Sequence, residues 1–274
     1  MFTEIINNVK RKAPLVHNIT NYVTVNDCAN ILLACGGSPI MADDVLEVEE
    51  ITSICNSLVI NIGTLNTRTI ESMIKAGKKA NELNHPVILD PVGAGASKLR
   101  TDTTSKLFKE IKFSVIRGNI SEIKTVYEGS GSTKGVDADI ADAVTDENLN
   151  ETIEFAKALS EKTGAIIAIT GAIDIVANSK TAYVIRNGHP MMSKTTGTGC
   201  MLTSVIGAFC AANEKNLLNA TAASICAMGI CGELAFEKTT KCNSGTSSFK
   251  MHLIDFMSKM DAQTLKAGAK IESK

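Results

Sequence analysis

The chain has 274 residues, a formal net charge of −1 and 44% hydrophobic residues, a composition typical of soluble globular proteins. The balanced charge, the absence of a Lys/Arg block and an aromatic content of 4% with no Trp argue against a nucleic-acid partner. The eight cysteines form no Cys-x-x-Cys pair, which argues against a zinc site. We expect them to be free thiols in a reducing compartment. We therefore expect a cytoplasmic protein without a membrane span.

Short apolar segments alternate with amphipathic ones along most of the chain. The predicted strands are residues 14–17, 38–42, 58–62, 86–90, 113–116 and 165–169. The predicted helices are residues 23–35, 67–84, 146–162, 201–212, 217–236 and 247–260, and two more begin near residues 43 and 117. This alternation predicts parallel β-α-β units in a sheet that is covered on both faces.

Three further segments complete the predicted organisation. Residues 173–177 and 181–186 flank Asn178-Ser-Lys180 and predict an antiparallel hairpin. The glycine- and serine-rich residues 129–135 predict a surface loop, and Asp146 is a candidate helix N-cap. We find no linker and no internal repeat, so we predict one α/β domain over residues 1–274.

A glycine-rich turn, Lys194-Thr-Thr-Gly-Thr-Gly-Cys-Met201, precedes the apolar segment 201–212. We expect a helix to begin at Gly199 or Cys200, so that its free N–H groups and its dipole favour a bound anion. The same position predicts a lowered pKa for the Cys200 thiol. The alternative is an ordinary glycine loop that leads into a buried helix.

Polar or glycine residues dominate the positions that follow the predicted strands. These positions should share one rim, because ligands bind at the carboxyl ends of parallel strands. They are Asn18, Met41, Gly63, Asp90, Arg117, Asn119, Glu122 and Thr170. Asp90 and Glu122 are candidate Mg²⁺ ligands, or simply caps of turns and helices. Arg117 is a candidate phosphate contact or a surface ion pair. Together with the glycine turn they suggest phosphoryl transfer without a P-loop motif.

Cys200 admits two chemical roles at this stage. As a covalent nucleophile it would need a histidine base, for which His17 and His189 are the nearest candidates by predicted position. In phosphoryl transfer it would instead lie beside the acceptor hydroxyl, as a weak base or an orienting group. A weak base would suffice there, because phosphoryl transfer is catalysed mainly by positioning and charge stabilisation.

Seven segments carry a more specific signal as a set. They are PLVHNITN (14–21), GGSPIMA (36–42), INIGTL (60–65), LDPVGAGAS (89–97), IRGNISEI (116–123), AITGAIDIV (168–176) and TTGTGCML (195–202). In this order they resemble the hydroxyethylthiazole kinases, thiamine-salvage enzymes of the ribokinase-like group. Ribokinase-like sugar kinases usually carry Asp in the last turn, whereas Cys200 matches the thiazole kinases.

The resemblance implies a ribokinase-like three-layer αβα fold with a mostly parallel sheet, in a single domain without a lid. It implies transfer of the ATP γ-phosphate to the alcohol of 5-(2-hydroxyethyl)-4-methylthiazole, with Mg²⁺ as cofactor, in a homotrimer whose active sites lie between subunits. The implied roles are Met41 and Gly197 at the thiazole, Arg117 and Thr170 at the ATP phosphates, Asp90 and Glu122 at the metal, and Cys200 at the hydroxyl.

Three alternatives remain open from the sequence. Another ribokinase-like enzyme, such as a pyrimidine kinase or an ATP-dependent dehydratase, would normally keep aspartate at position 200. A cysteine hydrolase or acyltransferase would form a covalent intermediate on Cys200. A ligand sensor would bind thiazole or ATP without turnover.

Overall fold

The computed structural model of the protein describes residues 2–128 and 143–274. Within them, one nine-stranded sheet runs in the order β2-β1-β3-β4-β5-β6-β7-β8-β9. Its strands are β1 Leu15–Ile19, β2 Ser38–Ile40, β3 Ser57–Asn61, β4 Val87–Asp90, β5 Val115–Gly118, β6 Ile166–Ile169, β7 Asp174–Ala177, β8 Ala182–Ile185 and β9 Ile271–Ser273. Strands β1 to β6 are parallel, and pairing from β6 to β9 is antiparallel. The predicted mixed α/β sheet with its hairpin is confirmed.

Helices cover both faces of this sheet. They are α1 Phe2–Lys12, α2 Val25–Cys35, α3 Val48–Ile54, α4 Thr67–Glu82, α5 Lys98–Glu110, α6 Ile120–Glu128, α7 Leu149–Thr163, α8 Thr198–Ala212, α9 Leu217–Lys241, α10 Thr246–Lys259 and α11 Ala262–Gly268. Side chains of a strand point alternately to the two faces. In β3, Val59 packs into the core beneath α8 and α9, whereas Leu58 and Ile60 pack into the core beneath α4 to α7.

Helix α8 lies directly against the middle of the sheet. Every residue from Met201 to Ala212 is buried. The approach is close at Gly207, where a Cβ atom would lie 2.8 Å from Val59 Cγ2 and 3.1 Å from Val16 Cγ1. Helix α9 is the one helix of the described residues long and apolar enough to cross a membrane, but 72% of its most apolar window is buried inside the fold.

Helix α1 packs on elements from the far end of the chain. Its buried residues Phe2, Ile5, Ile6 and Val9 follow helical spacing, and they share a core with α8 and α9. Three polar contacts fix the same helix: Asn8 Nδ2 donates to Asn213 Oδ1, Lys12 Nζ to the Ala212 carbonyl and Lys10 Nζ to the Met260 carbonyl. These partners lie 200 to 250 residues away in sequence.

Several boundaries differ from the sequence predictions. Helix α7 begins at Leu149 with Asn148 as its N-cap, so the predicted cap Asp146 is wrong, and Asp146 pairs instead with Arg186. Helix α8 begins at Thr198, one residue before the earliest predicted start. The predicted loop at residues 129–135 lies outside the described residues. Helices α1, α5 and α11 and strand β9 were not predicted.

Candidate active site

Residues from five parallel strands converge on the first turn of α8. Asn21 follows β1, Asn61 and Asp90 end β3 and β4, Arg117 lies in β5, and Thr170 follows β6. Hydrogen bonds or ion pairs connect all of them to one another. Of the residues predicted at the carboxyl ends of the parallel strands, Asp90, Arg117 and Thr170 therefore belong to one continuous polar network.

Asp90 lies at the centre of this network and is fully buried. Its Oδ2 accepts hydrogen bonds of 2.8 Å from Asn61 Nδ2 and from Thr203 Oγ1, and Arg117 Nη1 lies 3.6 Å from the same oxygen. Burial raises the pKa of Asp90, and the charge of Arg117 opposes that increase. Among the described residues its other oxygen, Oδ1, is buried without a hydrogen-bond partner. That oxygen is free to receive a ligand.

Arg117 lies between the carboxylate and the helix start. Its Nη2 donates to Thr170 Oγ1 at 2.6 Å, and its buried Nε has no partner within the described part of the chain. A Cβ atom at Gly199 would lie 2.7 Å from Arg117 Nη1, so the guanidinium rests against the backbone of the first turn of α8. A guanidinium and a helix N-terminus side by side create strong positive potential, which favours a phosphate-like anion.

Glu122 fastens the loop after β4 to the start of α6. Its Oε1 accepts from the Gly93 N–H and its Oε2 from the Asn119 N–H, both at 2.8 Å. The side chain of Asn119 in turn accepts from the Glu122 N–H at 2.9 Å, which completes a reciprocal helix cap. Burial, and then the charge of Asp90, raise the pKa of Glu122 to about 7. Glu122 therefore caps a helix and also places a titratable carboxyl near Asp90.

Cys200 is held by two side-chain amides. Its Sγ accepts from Asn21 Nδ2 at 3.2 Å and from Asn61 Nδ2 at 3.3 Å. Burial, and then the charge of Asp90, raise the pKa of the thiol. The lowered pKa predicted from the helix N-terminus is therefore wrong, because desolvation and a nearby carboxylate outweigh the helix dipole.

Neither candidate histidine base accompanies Cys200. His17 is fully buried, with Nδ1 2.9 Å from Thr52 Oγ1 and Nε2 2.8 Å from the Ala42 carbonyl. His189 accepts from the Met191 N–H and stacks on Phe236. In the described residues no hydrogen bond joins either ring to Cys200, so the geometry gives no support to a Cys-His hydrolase.

The two predicted thiazole contacts lie at the edge of the network. Met41 follows β2 and is half-buried rather than part of the core, and the described residues provide no hydrogen bond or ion pair that links it to Asp90 or Cys200. Gly197 is the N-cap of α8 with a φ of 91°, in the left-handed region that favours glycine. A Cβ atom there would lie 2.8 Å from Thr24 Cγ2, so any larger residue would press on the loop that carries Asn21.

Three residues of the network were missing from the sequence-based list: Asn21, Asn61 and Thr203. Asn61 carried a signal, because it is a polar residue at the end of an otherwise apolar segment, and all five residues of β3 are buried. Asn21 lay within the segment PLVHNITN (14–21) but was given no role of its own. Thr203 gave no signal, because a threonine on a buried helix commonly bonds the carbonyl four residues earlier, and this one does so at Gly199.

The donor set fits a metal that retains water or phosphate ligands. Within residues 2–128 and 143–274 no group of three or more His, Cys, Asp or Glu side chains is placed to enclose a metal ion. Mg²⁺ commonly binds through one or two carboxylates together with water and substrate phosphates. The unpartnered Oδ1 of Asp90 supplies one suitable oxygen.

The fold and this rim define a phosphotransferase of the ribokinase-like class. In agreement, the structure aligns with a pyridoxal kinase from Staphylococcus aureus in complex with ADP at a TM-score of 0.59, over 80% of this chain and 88% of the other. At 15% identity that likeness concerns the fold alone.

Sequence comparison defines the family. The profile of the hydroxyethylthiazole kinase family matches residues 6–263. A hydroxyethylthiazole kinase from Clostridium acetobutylicum is 63% identical over 273 residues, which cover 100% of each chain. The structure of a hydroxyethylthiazole kinase from Pyrococcus horikoshii OT3 aligns at a TM-score of 0.88 and 34% identity, over 100% of this chain and 98% of the other. The chain belongs to the hydroxyethylthiazole kinase family.

Proposed function

We propose that the protein transfers the γ-phosphate of ATP to the primary hydroxyl of 5-(2-hydroxyethyl)-4-methylthiazole, as a step of thiamine salvage in the cytoplasm. Family membership supports the substrate pair. One structural observation carries the reaction type: Asp90, Arg117 and Cys200 belong to a single network at the N-terminus of α8. A transferring phosphate would be surrounded there by a cation, a helix dipole and a carboxylate suited to a metal.

Arg117 and Thr170 are proposed to contact the ATP phosphates. Arg117 is always charged and presents several N–H donors, and its Nε has no partner in the described chain. The backbone amides of residues 197–200 would receive the oxygens of the phosphate during transfer, as an anion hole at the start of α8. Gly199 suits this role because it leaves the backbone open beside Arg117.

Asp90 and Glu122 are proposed to lie on the metal side. Asp90 would offer its unpartnered Oδ1 directly. Each Glu122 oxygen already accepts one backbone N–H, and its remaining lone pairs would face the metal directly or through a water molecule. Mg²⁺ would neutralise the charge of the ATP phosphates when it is bound.

Cys200 is proposed to lie beside the acceptor hydroxyl, with Met41 and Gly197 contributing to the thiazole pocket. Since burial raises the pKa of Cys200, the thiol keeps its proton at neutral pH and orients the hydroxyl rather than acting as a thiolate base. Met41 suits a small aromatic heterocycle, because its thioether is flexible and polarisable.

A homotrimer with active sites between subunits is also proposed. Exposed apolar side chains follow site residues in the sequence: Tyr22 and Val23 are 78% and 56% exposed directly after Asn21, and Leu46, a few residues after Met41, is 89% exposed. Isolated exposed apolar residues are common, but here they follow site residues, which suits a subunit boundary beside the substrate. The molar mass in solution tests this: three times the 29.0 kDa of the chain is expected, and a monomeric active enzyme would refute it.

The decisive experiment is a coupled assay of ADP release with Mg·ATP. We expect ADP with hydroxyethylthiazole and none with hydroxymethylpyrimidine, which tests acceptor choice with the same phosphate donor. Cys200→Asp should keep turnover, because a carboxylate in that turn is a competent base or orienting group. Absence of ADP with the thiazole, in a protein that ATP stabilises against heat, would reject the acceptor; absence of that stabilisation would reject phosphoryl transfer itself.

A further inference from the structure

The side-chain amides of Asn21 and Asn61 have fixed orientations. The Gly63 N–H donates to Asn61 Oδ1 at 2.9 Å, and the Thr24 N–H donates to Asn21 Oδ1 at 3.2 Å. A backbone N–H can only donate, so in each residue the oxygen must face it and the NH₂ group must point the opposite way. If either amide were flipped, its NH₂ group would face a backbone N–H, and two donors would oppose each other.

The hydrogen count then determines where the four amide hydrogens go. Asn61 donates one to Asp90 Oδ2 at 2.8 Å and the other to Cys200 Sγ at 3.3 Å. Asn21 donates one to Asn61 Oδ1 at 3.0 Å and the other to Cys200 Sγ at 3.2 Å. Two hydrogens therefore end at one sulfur atom, and none is left over. Because Sγ accepts from both amides, its own S–H must point away from them.

We propose that Asn21 and Asn61 are a pair of positioning residues that fix the Cys200 side chain and the direction of its S–H bond, and that Asn61 couples this thiol to Asp90. The proposal rests on the proposed function of Cys200 beside the acceptor hydroxyl. Hydrogen bonds to thiol sulfur are weak, so one would do little, whereas two from oriented amides select one rotamer. The orientation of the Cys200 thiol beside the acceptor hydroxyl matters, because small misplacements of reacting groups reduce rates strongly.

Asn21 is the better residue for a test, because no hydrogen bond of its side chain reaches Asp90 in the described structure. Asn21→Leu approximately keeps the volume and removes the donors; Asn21→Ala serves if the leucine variant does not fold. Thr203→Val is the matched control, because it removes a donor to Asp90 and leaves both amide donors to Cys200 in place.

Kinetics provide the first measurement. Asn21→Leu should lower kcat about tenfold, with the KM for ATP changed less than twofold, because the acceptor side alone is disturbed. In a Cys200→Ala background the same substitution should change kcat less than twofold, because a residue that acts through Cys200 has no further effect once the thiol is gone. Equal losses in both backgrounds would overturn the proposal.

Alkylation of Cys200 by iodoacetamide at pH 8, followed by peptide mass spectrometry, provides a measurement that does not depend on turnover. The exposed Cys242 is the internal reference in the same protein. Relative to Cys242, Cys200 should react at least threefold more slowly in Asn21→Leu or Asn21→Ala, because the N–H donors that stabilise the attacking thiolate are reduced. Thr203→Val should leave this ratio unchanged. An unchanged ratio in the Asn21 variants would refute the positioning role even if kinase activity is confirmed, and a lowered ratio would support it even if the acceptor proves to be another alcohol.

Discussion

The two ends of helix α8 use the same residue type for opposite purposes. At the start, Gly197 has a φ of 91° and Gly199 leaves room for the Arg117 guanidinium, and both residues are only half-buried. In the body, Gly207 leaves room for Val59 and Val16, and all its neighbours are buried. The first turn keeps backbone N–H groups accessible, whereas the body fills a core.

This difference separates activity from stability within one helix. A change at Gly199, whose added Cβ would meet the end of a flexible arginine, should alter phosphate binding and leave the free energy of unfolding nearly constant. Changes near Gly207 should do the reverse, since the added atoms would meet the core side chains Val59 and Val16. The predictions below test that separation, from the largest effect to the smallest.

The largest effect is expected at Asp90, the carboxylate that faces the start of α8. Asp90→Asn should lower kcat roughly 100- to 1000-fold, because a preorganised charge at the reacting phosphate is lost. The melting temperature should not fall, because the substitution also removes a fully buried carboxylate. Steady-state kinetics with Mg·ATP and calorimetry measure the two quantities.

Asp102→Asn is the matched control for Asp90. Asp102 lies exposed on α5 and pairs with Lys98, so kcat should stay within twofold. A kcat for Asp90→Asn within threefold of the parent, or a melting temperature more than 5 °C lower, would contradict the assignment.

At the start of α8 we expect Gly199→Ala to lower kcat/KM for ATP about 10- to 100-fold. The new Cβ would lie 2.7 Å and 3.0 Å from the two terminal nitrogens of Arg117, so the guanidinium must move. Gly245→Ala is the control, because Gly245 lies at the start of another helix, α10, and has no neighbour within 4 Å of the added atom. A Gly199→Ala enzyme with normal kcat/KM would mean that the guanidinium position is unimportant.

In the body of α8, Gly207→Ala should lower the free energy of unfolding by about 1 to 3 kcal/mol, because the added methyl group overpacks a β-branched contact. Denaturant titration measures the loss, and kcat per folded molecule should remain within twofold. A loss of kcat without a loss of stability would show that the two ends of the helix are not separable.

The smallest effect at neutral pH concerns Glu122, whose pKa is raised to about 7. Below pH 7 this carboxyl gains a proton, so kcat/KM should fall by up to tenfold per pH unit, and by about half at pH 7 itself. The same shift has the opposite sign for stability. The folded state binds more protons than the unfolded state between the model value of 4.5 and about 7, so this contribution to stability is present at low pH and lost as the pH rises through 7.

A pH-rate profile and pH-dependent unfolding of the parent and of Glu122→Gln check both signs. The substitution should remove the Glu122 titration from the rate profile. It should reduce but not abolish the pH dependence of unfolding, because burial also raises the pKa of Asp174 to about 7. If the fall of kcat/KM at low pH persists unchanged in Glu122→Gln, a different group is responsible for it.

The sequence predicted the rim better than the contacts within it. Parallel strands align their carboxyl ends, so Asp90, Arg117 and Thr170 could be expected together from their positions alone. No such rule predicts that Asn61 lies within hydrogen-bond distance of Cys200, 139 residues later, since that depends on how α8 crosses the sheet.

The errors have equally definite causes. The pKa of Cys200 was misjudged because a local rule, the helix dipole, competes with burial and with Asp90, which only the folded chain reveals. Helix α1 was missed although its apolar residues follow helical spacing, because its remaining residues are polar. Helix α5 gave little pattern, since only Thr103, Thr104 and Leu107 are buried.

The docking of α1 on late elements has a consequence for biosynthesis. This helix leaves the ribosome before the elements that cover it, and Lys10 must wait for Met260, a separation of 250 residues. At about 5 to 20 residues per second, the delay is about 10 to 50 s. Throughout that interval Phe2, Ile5, Ile6 and Val9 lack their final partners, so apolar surface stays exposed in the growing chain. Folding of the nascent chain therefore joins an early helix to segments that are made 200 to 250 residues later.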